Sequence, residues 1–211
     1  MGIEATSVVI ADDENIKLAK KLGFEVVRRD NKFLGQKFND GYQLAAELGA
    51  DFVVPLGSDS WIHHTYFKPL KRLKADKLLT GKHYGLIDET GLRLGKLEIT
   101  VADGVGPHVI ALEWIKPFKY RPVKETLTRG CDGSLLSTIR KRKVLECVWN
   151  NSKELQYVAF RTEGQQLNPY KLLADKYLRN ESRDPWGELK TMYPPDLVEE
   201  TKAVYDKRRR R

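Results

Sequence analysis

Cysteine is nearly missing. The chain has two, Cys131 and Cys147, in neither a CxxC pair nor the dense, even spacing of a secreted disulfide scaffold. A stapled extracellular module is thereby excluded, and a reducing compartment is expected. Long apolar runs are missing too. No stretch reaches the roughly 18 residues that a membrane-spanning helix requires, and the opening residues carry neither the basic region nor the apolar run of a signal peptide. The expectation is a cytoplasmic protein with no membrane insertion. Internal repeats are absent, and no polar tract is long enough to imply extensive disorder.

What remains is the balance of a globular domain with one sizeable core, 41% hydrophobic beside 31% charged over 211 residues. Lys and Arg number 37 against 29 Asp and Glu, a net charge of +8, and Arg208 to Arg211 form a terminal basic run. A nucleic acid or a phosphate-bearing ligand is a candidate partner for that charge. A solvated basic surface with a disordered arginine tail satisfies the same count.

Along the chain, Ser7 to Ala11 is a short apolar, β-branched run that ends in Asp12-Asp13-Glu14-Asn15, the pattern of a buried strand leaving into a polar turn. Ile16, Leu18, Ala19 and Leu22 recur at helical spacing, with Asp13 as N-cap and Gly23 at the C-cap. Phe24 to Val27 reads as a second strand, Asn31 to Asn39 as a polar loop, Tyr42 to Leu48 as a helix closed by Gly49, and Asp51 to Leu56 as a third strand. This alternation predicts right-handed crossovers and a mainly parallel sheet. Further on, Tyr66 to Leu73 reads as helix, and Lys77 to Thr80 and Tyr84 to Ile87 as strands. Asp88 to Gly91 reads as a hairpin turn into Leu92 to Ile99. Val109 to Ile115 reads as a short helix, Ser134 to about Lys141 as another, Val144 to Trp149 as a late strand, and the remainder as mostly helical.

In such sheets ligands bind beyond the carboxyl ends of the strands, which brings Asp12-Asp13-Glu14 and Gly57-Ser58-Asp59-Ser60 to one rim. Asp59 offers a carboxylate for Mg²⁺ or Mn²⁺, hard cations that favour oxygen ligands; capping of a helix entering at Trp61 is the plainer use of Asp59 or Ser60. Trp114 to Arg121 interleaves aromatic and basic residues, able to stack on bases or on a sugar ring, or to pack inward with the charges solvated. His63, His64 and His108 match no zinc spacing.

Taken in order, Val9 to Glu14, Asn31-Lys32-Phe33-Leu34-Gly35-Gln36-Lys37-Phe38-Asn39, and Val53 to Ser60 resemble GT-A glycosyltransferases of the family 2 kind, especially small phage and bacterial ones. There the segments read as a strand with acidic residues, an N-x-P-L-G-x-K-x-N loop, and a strand ending in G-S-D-D or D-x-D. The likeness covers about residues 8 to 150. It implies that Asp12 or Asp13 contacts the nucleoside, that Lys37 faces the donor phosphates with Ser58 and Asp59 nearby, that Asn39 caps the helix after the loop, and that Asp59 holds the metal. Arg129 to Leu135 resembles the G-x-D segment that carries the catalytic acid, which makes Asp132 the implied base for an inverting transfer; its plainer use is to cap the helix at Ser134. Gly104 to His108 resembles the acceptor-side loop, with His108 at the donor sugar or metal. Three departures stand out: Gly57 and Ser60 occupy the place of a second acid, Phe33 replaces proline, and the family's first strand has no clear counterpart before Ser7.

The resemblance therefore implies an α/β, GT-A (Rossmann-like) fold, a mainly parallel sheet flanked by helices with antiparallel additions on the acceptor side. Residues 1–150 would form the catalytic domain and 151–211 a mostly helical extension. The expected activity is transfer of a sugar from a nucleoside diphosphate-sugar, UDP-sugar favoured, to an acceptor hydroxyl on modified phage DNA, a virion protein or a glycan, with Mn²⁺ or Mg²⁺. Were the gene a phage's, the compartment would be the host cytoplasm. The competing expectation is a non-catalytic nucleic-acid-binding α/β protein, motivated by the charge and the missing acids.

Overall fold

The computed structural model describes residues 4–57, 59–72, 77–81, 83–98, 108–140, 145–149, 155–161 and 178–209. In chain order, β1 (Val8–Ala11), α1 (Asp13–Lys21), β2 (Glu25–Arg28) and α2 (Leu34–Glu47) lead to β3 (Phe52–Val53) and β4 (Ser60–Ile62). A 3-10 helix over His64–Arg72 precedes β5 (Lys77–Gly81), β6 (His83–Ile87), β7 (Leu94–Glu98) and β8 (His108–Ala111). Next come α3 (Leu112–Ile115), a 3-10 turn at Lys116–Phe118, α4 (Cys131–Arg140), β9 (Leu145–Trp149) and β10 (Tyr157–Phe160). β11 (Leu178–Ser182), α5 (Pro185–Leu189) and α6 (Pro195–Arg209) follow.

The chain divides into two compact units, Met1–Pro55 with Lys71–Leu79 and His108–Cys147, and Leu56–Leu70 with Thr80–Pro107 and Val148–Arg211. Neither coincides with the spans 1–150 and 151–211 expected from sequence.

In the first unit, β1 and β2 pair in parallel, Val8 opposite Glu25 and Ala11 opposite Arg28. α1 connects them. Asp12, with extended backbone, occupies its N-cap position in place of the expected Asp13, while Asp13 and Glu14 fill the first turn and Lys20 and Lys21 the last, each suited to the helix dipole at its end. Gly23 and Gly49 adopt φ of 79° and 74°, the left-handed conformation that closes α1 and α2 at low cost. α2 starts at Leu34, inside the segment expected to be loop, because its first two turns are anchored by Gly35 and Asn39 rather than by an apolar stripe. A separate sheet has the order β3-β8-β5-β9, with β3 antiparallel to β8. Every residue of β8 is buried. A short, fully apolar run carries no alternation, which is why Val109 to Ile115 reads as helix although it is a strand followed by one helical turn.

The second unit is built on a sheet of order β11-β7-β6-β10-β4. β6 and β7 form the expected hairpin: buried Asp88 accepts from the backbone of Leu92 at 3.1 Å and from Thr90 Oγ1 at 2.9 Å. At its tip Gly91 has φ of 69°, and a Cβ there would lie 2.7 Å from the Tyr205 ring. β10 runs parallel to β6 and antiparallel to β4, so a segment expected to be mostly helical supplies an interior strand. Ile87, Leu94, Val158, Phe160, Trp186 and Tyr205 share one core with α5 and α6. Its polar tips are satisfied, Trp186 Nε1 donating to Gly91 O and Tyr193 OH to Leu155 O, both at 2.9 Å.

The fold is thus α/β with mixed sheets. Parallel registers occur at β1/β2 and β6/β10, and antiparallel ones at β3/β8, β4/β10, β6/β7 and β7/β11, which corrects the expected mainly parallel sheet. Alternating strands and helices predict parallel neighbours only when consecutive strands pair, and β3 instead pairs with a strand from much later in the chain. Among the described residues no helix is long and apolar enough to cross a membrane.

Candidate functional site

Parallel strands end together, so the polar residues after β1 and β2 converge at one edge. Asp12 accepts from Asn15 Nδ2 at 2.9 Å and from Asn31 Nδ2, and Lys37 Nζ donates to Asn31 Oδ1. The Asn15 amide foremost, with Lys37 and Asn31 adding to it, holds the Asp12 carboxyl below its ordinary range. Asp12 and Lys37, separated in sequence by α1, β2 and a loop, are therefore joined through one asparagine. Asp13 turns away to Arg28 Nη2, 2.5 Å from its carboxylate.

Helix α2 has two uses for the L-G-Q-K-F-N motif. Gly35 and Asn39, four residues apart, share one face, whereas Lys37 lies on the other side of the helix. A Cβ at Gly35 would sit 2.2 Å from Lys124 O, and the Gly35 N–H donates to Leu127 O at 2.9 Å. Asn39 is fully buried, donating to Val123 O at 2.8 Å and accepting from Val123 N at 3.0 Å. It clamps a loop and does not cap a helix, which corrects that expectation. Arg121, the last residue of the aromatic and basic run from Trp114, pairs with Asp40 and Glu125, at 3.2 and 2.7 Å.

The clamped loop runs through Gly130, at φ of 69°, into α4. Ser134 Oγ accepts from Lys124 N at 3.1 Å and Thr138 Oγ1 donates to Pro122 O at 3.0 Å, which ties α4 to the loop. Because α4 begins at Cys131, Asp132 lies in its first turn and does not cap a helix at Ser134. Burial pushes the Asp132 carboxyl up to about 6. Cys131 is a buried free thiol, pushed up to about 11 by burial and by the charge of Asp132. Tyr42, on α2, was legible only as an apolar helix position. Its hydroxyl is buried without a hydrogen-bond partner among the described residues, and its ionisation is driven far up by burial and then by Asp132 and Cys131.

His108 is fully buried at the start of β8. Ser58, the segment Gly104 to Pro107, Arg210 and Arg211 lie outside the described residues.

Asp59 belongs to the second unit. No helix enters at Trp61; Ser60 begins β4. Ser60 Oγ lies 3.3 Å from Asp59 Oδ1 and 3.1 Å from Tyr157 OH, and Arg161 Nη1 lies 3.6 Å from Asp59 Oδ2. Mg²⁺ and Mn²⁺ require several oxygen ligands and repel a guanidinium. Among the described residues, one carboxylate facing an arginine there does not fit such an ion, and no group of three His, Cys, Asp or Glu suited to a metal occurs among them. His63 and His64 stack with ring centroids 4.2 Å apart, and His63 Nδ1 is engaged by Thr65 Oγ1 at 2.7 Å.

No protein-family model matches the chain, and no curated protein matches it in sequence. Among solved structures it is similar to mannose-1-phosphate geranyltransferase from Thermus thermophilus, at 11% identity and a TM-score of 0.33, over 74% of this chain and 58% of that one. The chain spans less than two thirds of that neighbour's length, and a likeness this distant carries no argument about activity.

Proposed function

We propose that the chain is a transferase that moves a sugar from a nucleoside diphosphate-sugar, UDP-sugar favoured, to an acceptor hydroxyl. The observation that carries the proposal is that one unit holds both the Asp12–Asn31–Lys37 chain at a parallel strand edge and a half-buried carboxyl, Asp132, pushed up to about 6. Asp12 accepts hydrogen bonds from hydroxyls of the nucleoside, Lys37 faces the phosphates, and Asp132 is the base. In an inverting transfer Asp132 takes the acceptor hydroxyl proton while the acceptor oxygen bonds to the anomeric carbon. The bond from that carbon to the diphosphate oxygen breaks, and the nucleoside diphosphate leaves with the electron pair. A carboxylate raised towards neutrality is a stronger base than an ordinary one and is still ionised at neutral pH.

The sequence resemblance supports the same roles. The described residues around Asp59 do not fit Mg²⁺ or Mn²⁺, and the proposed chemistry is carried by Asp12, Lys37 and Asp132. His108, being fully buried, is assigned no contact with the donor. Modified phage DNA, a virion protein and a glycan are the acceptor classes to test, by adding each to purified protein with labelled donor. Hydrolysis of UDP-sugars without acceptor, lost in Asp132→Asn, supports the proposal. Absence of donor binding across UDP-, GDP- and TDP-sugars refutes it.

One feature favours the nucleic-acid alternative: α6 carries Lys207, Arg208 and Arg209 in its last turn, all exposed. That alternative predicts DNA or RNA binding that falls steeply with salt and weakens on deletion of residues 208–211, without donor turnover.

A further inference from the structure

Three helical segments of the first unit close with the same pair of backbone hydrogen bonds. At α1 the Gly23 N–H donates to Lys20 O at 3.0 Å and the Phe24 N–H to Ala19 O at 3.1 Å; at α2 Gly49 donates to Ala46 O and Ala50 to Ala45 O, both at 3.1 Å. The 3-10 turn after α3 repeats the pair, Lys119 donating to Lys116 O at 2.8 Å and Tyr120 to Ile115 O at 3.1 Å. This closure requires a left-handed residue, and glycine takes that conformation without a Cβ clash. Gly23 and Gly49 supply it at α1 and α2. The third closure has no glycine. Lys119 has φ of 53° and Tyr120 φ of 60°, and among the described residues no other non-glycine residue has a positive φ. Two adjacent side-chain-bearing residues held there are strained.

Among the described residues no polar contact of the fold uses either side chain: Lys119 is exposed without an ion pair, and the hydroxyl of half-buried Tyr120 makes no hydrogen bond. Lys116 and Lys124, both exposed, flank them, and residues 114–124 include no acid. Ile115 and Val123 are buried on either side of the turn, and Pro122 and Lys124 are tied to α4 through Thr138 and Ser134. The strained residues therefore stand on a fixed base, in the loop that leads to Asp132. Strain kept where glycine would relieve it points to side chains needed for a ligand. A ring set among unpaired lysines suits a chain of phosphates that carries open base faces, since the ring stacks on a base while the ammonium groups neutralise phosphates. A neutral glycan would leave the lysines unused. We propose that residues 116–124 bind single-stranded nucleic acid, with Tyr120 stacked on a base and Lys116, Lys119 and Lys124 at the phosphates, and that such a strand is the acceptor. The acceptor assignment rests on the function proposed above; the binding does not.

Fluorescence anisotropy of labelled single-stranded DNA and RNA with the full chain, beside duplexes of the same length and across a salt series, tests this. Single strands should bind more tightly than duplex and lose affinity steeply with salt. Tyr120→Gly should weaken single-strand binding by about tenfold, the loss of one stacked base, and Lys119→Gly should flatten the salt dependence by roughly one phosphate contact. Both substitutions relieve strain, so the melting temperature should hold or rise while binding falls; side chains needed only by the fold would show the reverse. Should Tyr120→Gly melt lower, Tyr120→Leu carries the test, since it keeps bulk without a ring, and unchanged affinity in it counts against the proposal. Binding that depends on Tyr120 and Lys119, with no labelled sugar passing from UDP-, GDP- or TDP-sugars to either strand, sustains the nucleic-acid surface and ends the acceptor assignment. Absence of single-strand binding overturns the proposal and leaves donor turnover to stand or fall by itself. So does binding that is lost on deletion of residues 208–211 but unchanged in Tyr120→Gly and Lys119→Gly.

Discussion

Asp12 closes the parallel β1/β2 pair among neutral amides, with Lys37 one residue removed through Asn31, whereas Asp59 stands at the entry to β4 with Arg161 across from it at 3.6 Å. The two acids follow similar apolar runs and carry the same charge. Their surroundings separate them: amides hold Asp12 below the ordinary carboxylate range, while a guanidinium lies across from Asp59. The character of a site acid is set by its counter-charges, which come from distant sequence.

The largest effect is expected on the α2 and α4 side. Asp132→Asn should lower transfer by about 10²–10⁴-fold in initial-rate assays, the usual range for a general base. The wild-type rate should rise with pH through about 6, the value to which burial pushes this carboxyl. The same displacement has a stability consequence. The folded pKa lies above the unfolded one, so the stabilising contribution is complete below the ordinary carboxylate range and is lost as pH rises through about 6. At pH 8 Asp132→Asn should therefore be more stable in urea by about 1–3 kcal/mol, even as it loses activity.

Next in size, Asp59→Ala should cost about 1–2 kcal/mol in urea unfolding, since it removes a charged neighbour of a part-buried arginine. Asp12→Ala, which removes a surface acid held by amides, should leave the urea midpoint in place. A reversal of that order would break the comparison between the two acids. Lys37→Ala should weaken UDP binding about tenfold without changing the melting temperature. Smallest of all, Tyr42→Phe removes a buried hydroxyl that lacks a described partner, so stability should be unchanged or rise by up to about 1 kcal/mol in denaturant titrations. A clear loss there would reveal a hydrogen bond to that hydroxyl.

Much of the first unit was legible in sequence because it is local. The runs at β1 and β2, the helix between them and the closing glycines Gly23 and Gly49 follow from short-range pattern, and so does the hairpin at Asp88 to Gly91. Lys37 and Asp132 were legible as site candidates through motif likeness. The start of α2 was not, since Gly35 and Asn39 answer to a loop at residues 123–127 and bury no apolar stripe. The approach of Arg161 to Asp59 was not legible for a similar reason. The run Tyr157-Val158-Ala159-Phe160 has the aromatic and β-branched composition of a strand, and that signal was available, but its parallel pairing with β6 and its approach to Asp59 are long-range outcomes.

The most direct measurement is release of nucleoside diphosphate from UDP-, GDP- and TDP-sugars in EDTA across pH 5 to 8, wild type beside Asp132→Asn. The predicted result is release from at least one donor, rising to a plateau with a midpoint near pH 6 and reduced at least about 100-fold in the variant. No release from any donor, with or without Mn²⁺, or equal rates in the two proteins, would contradict it.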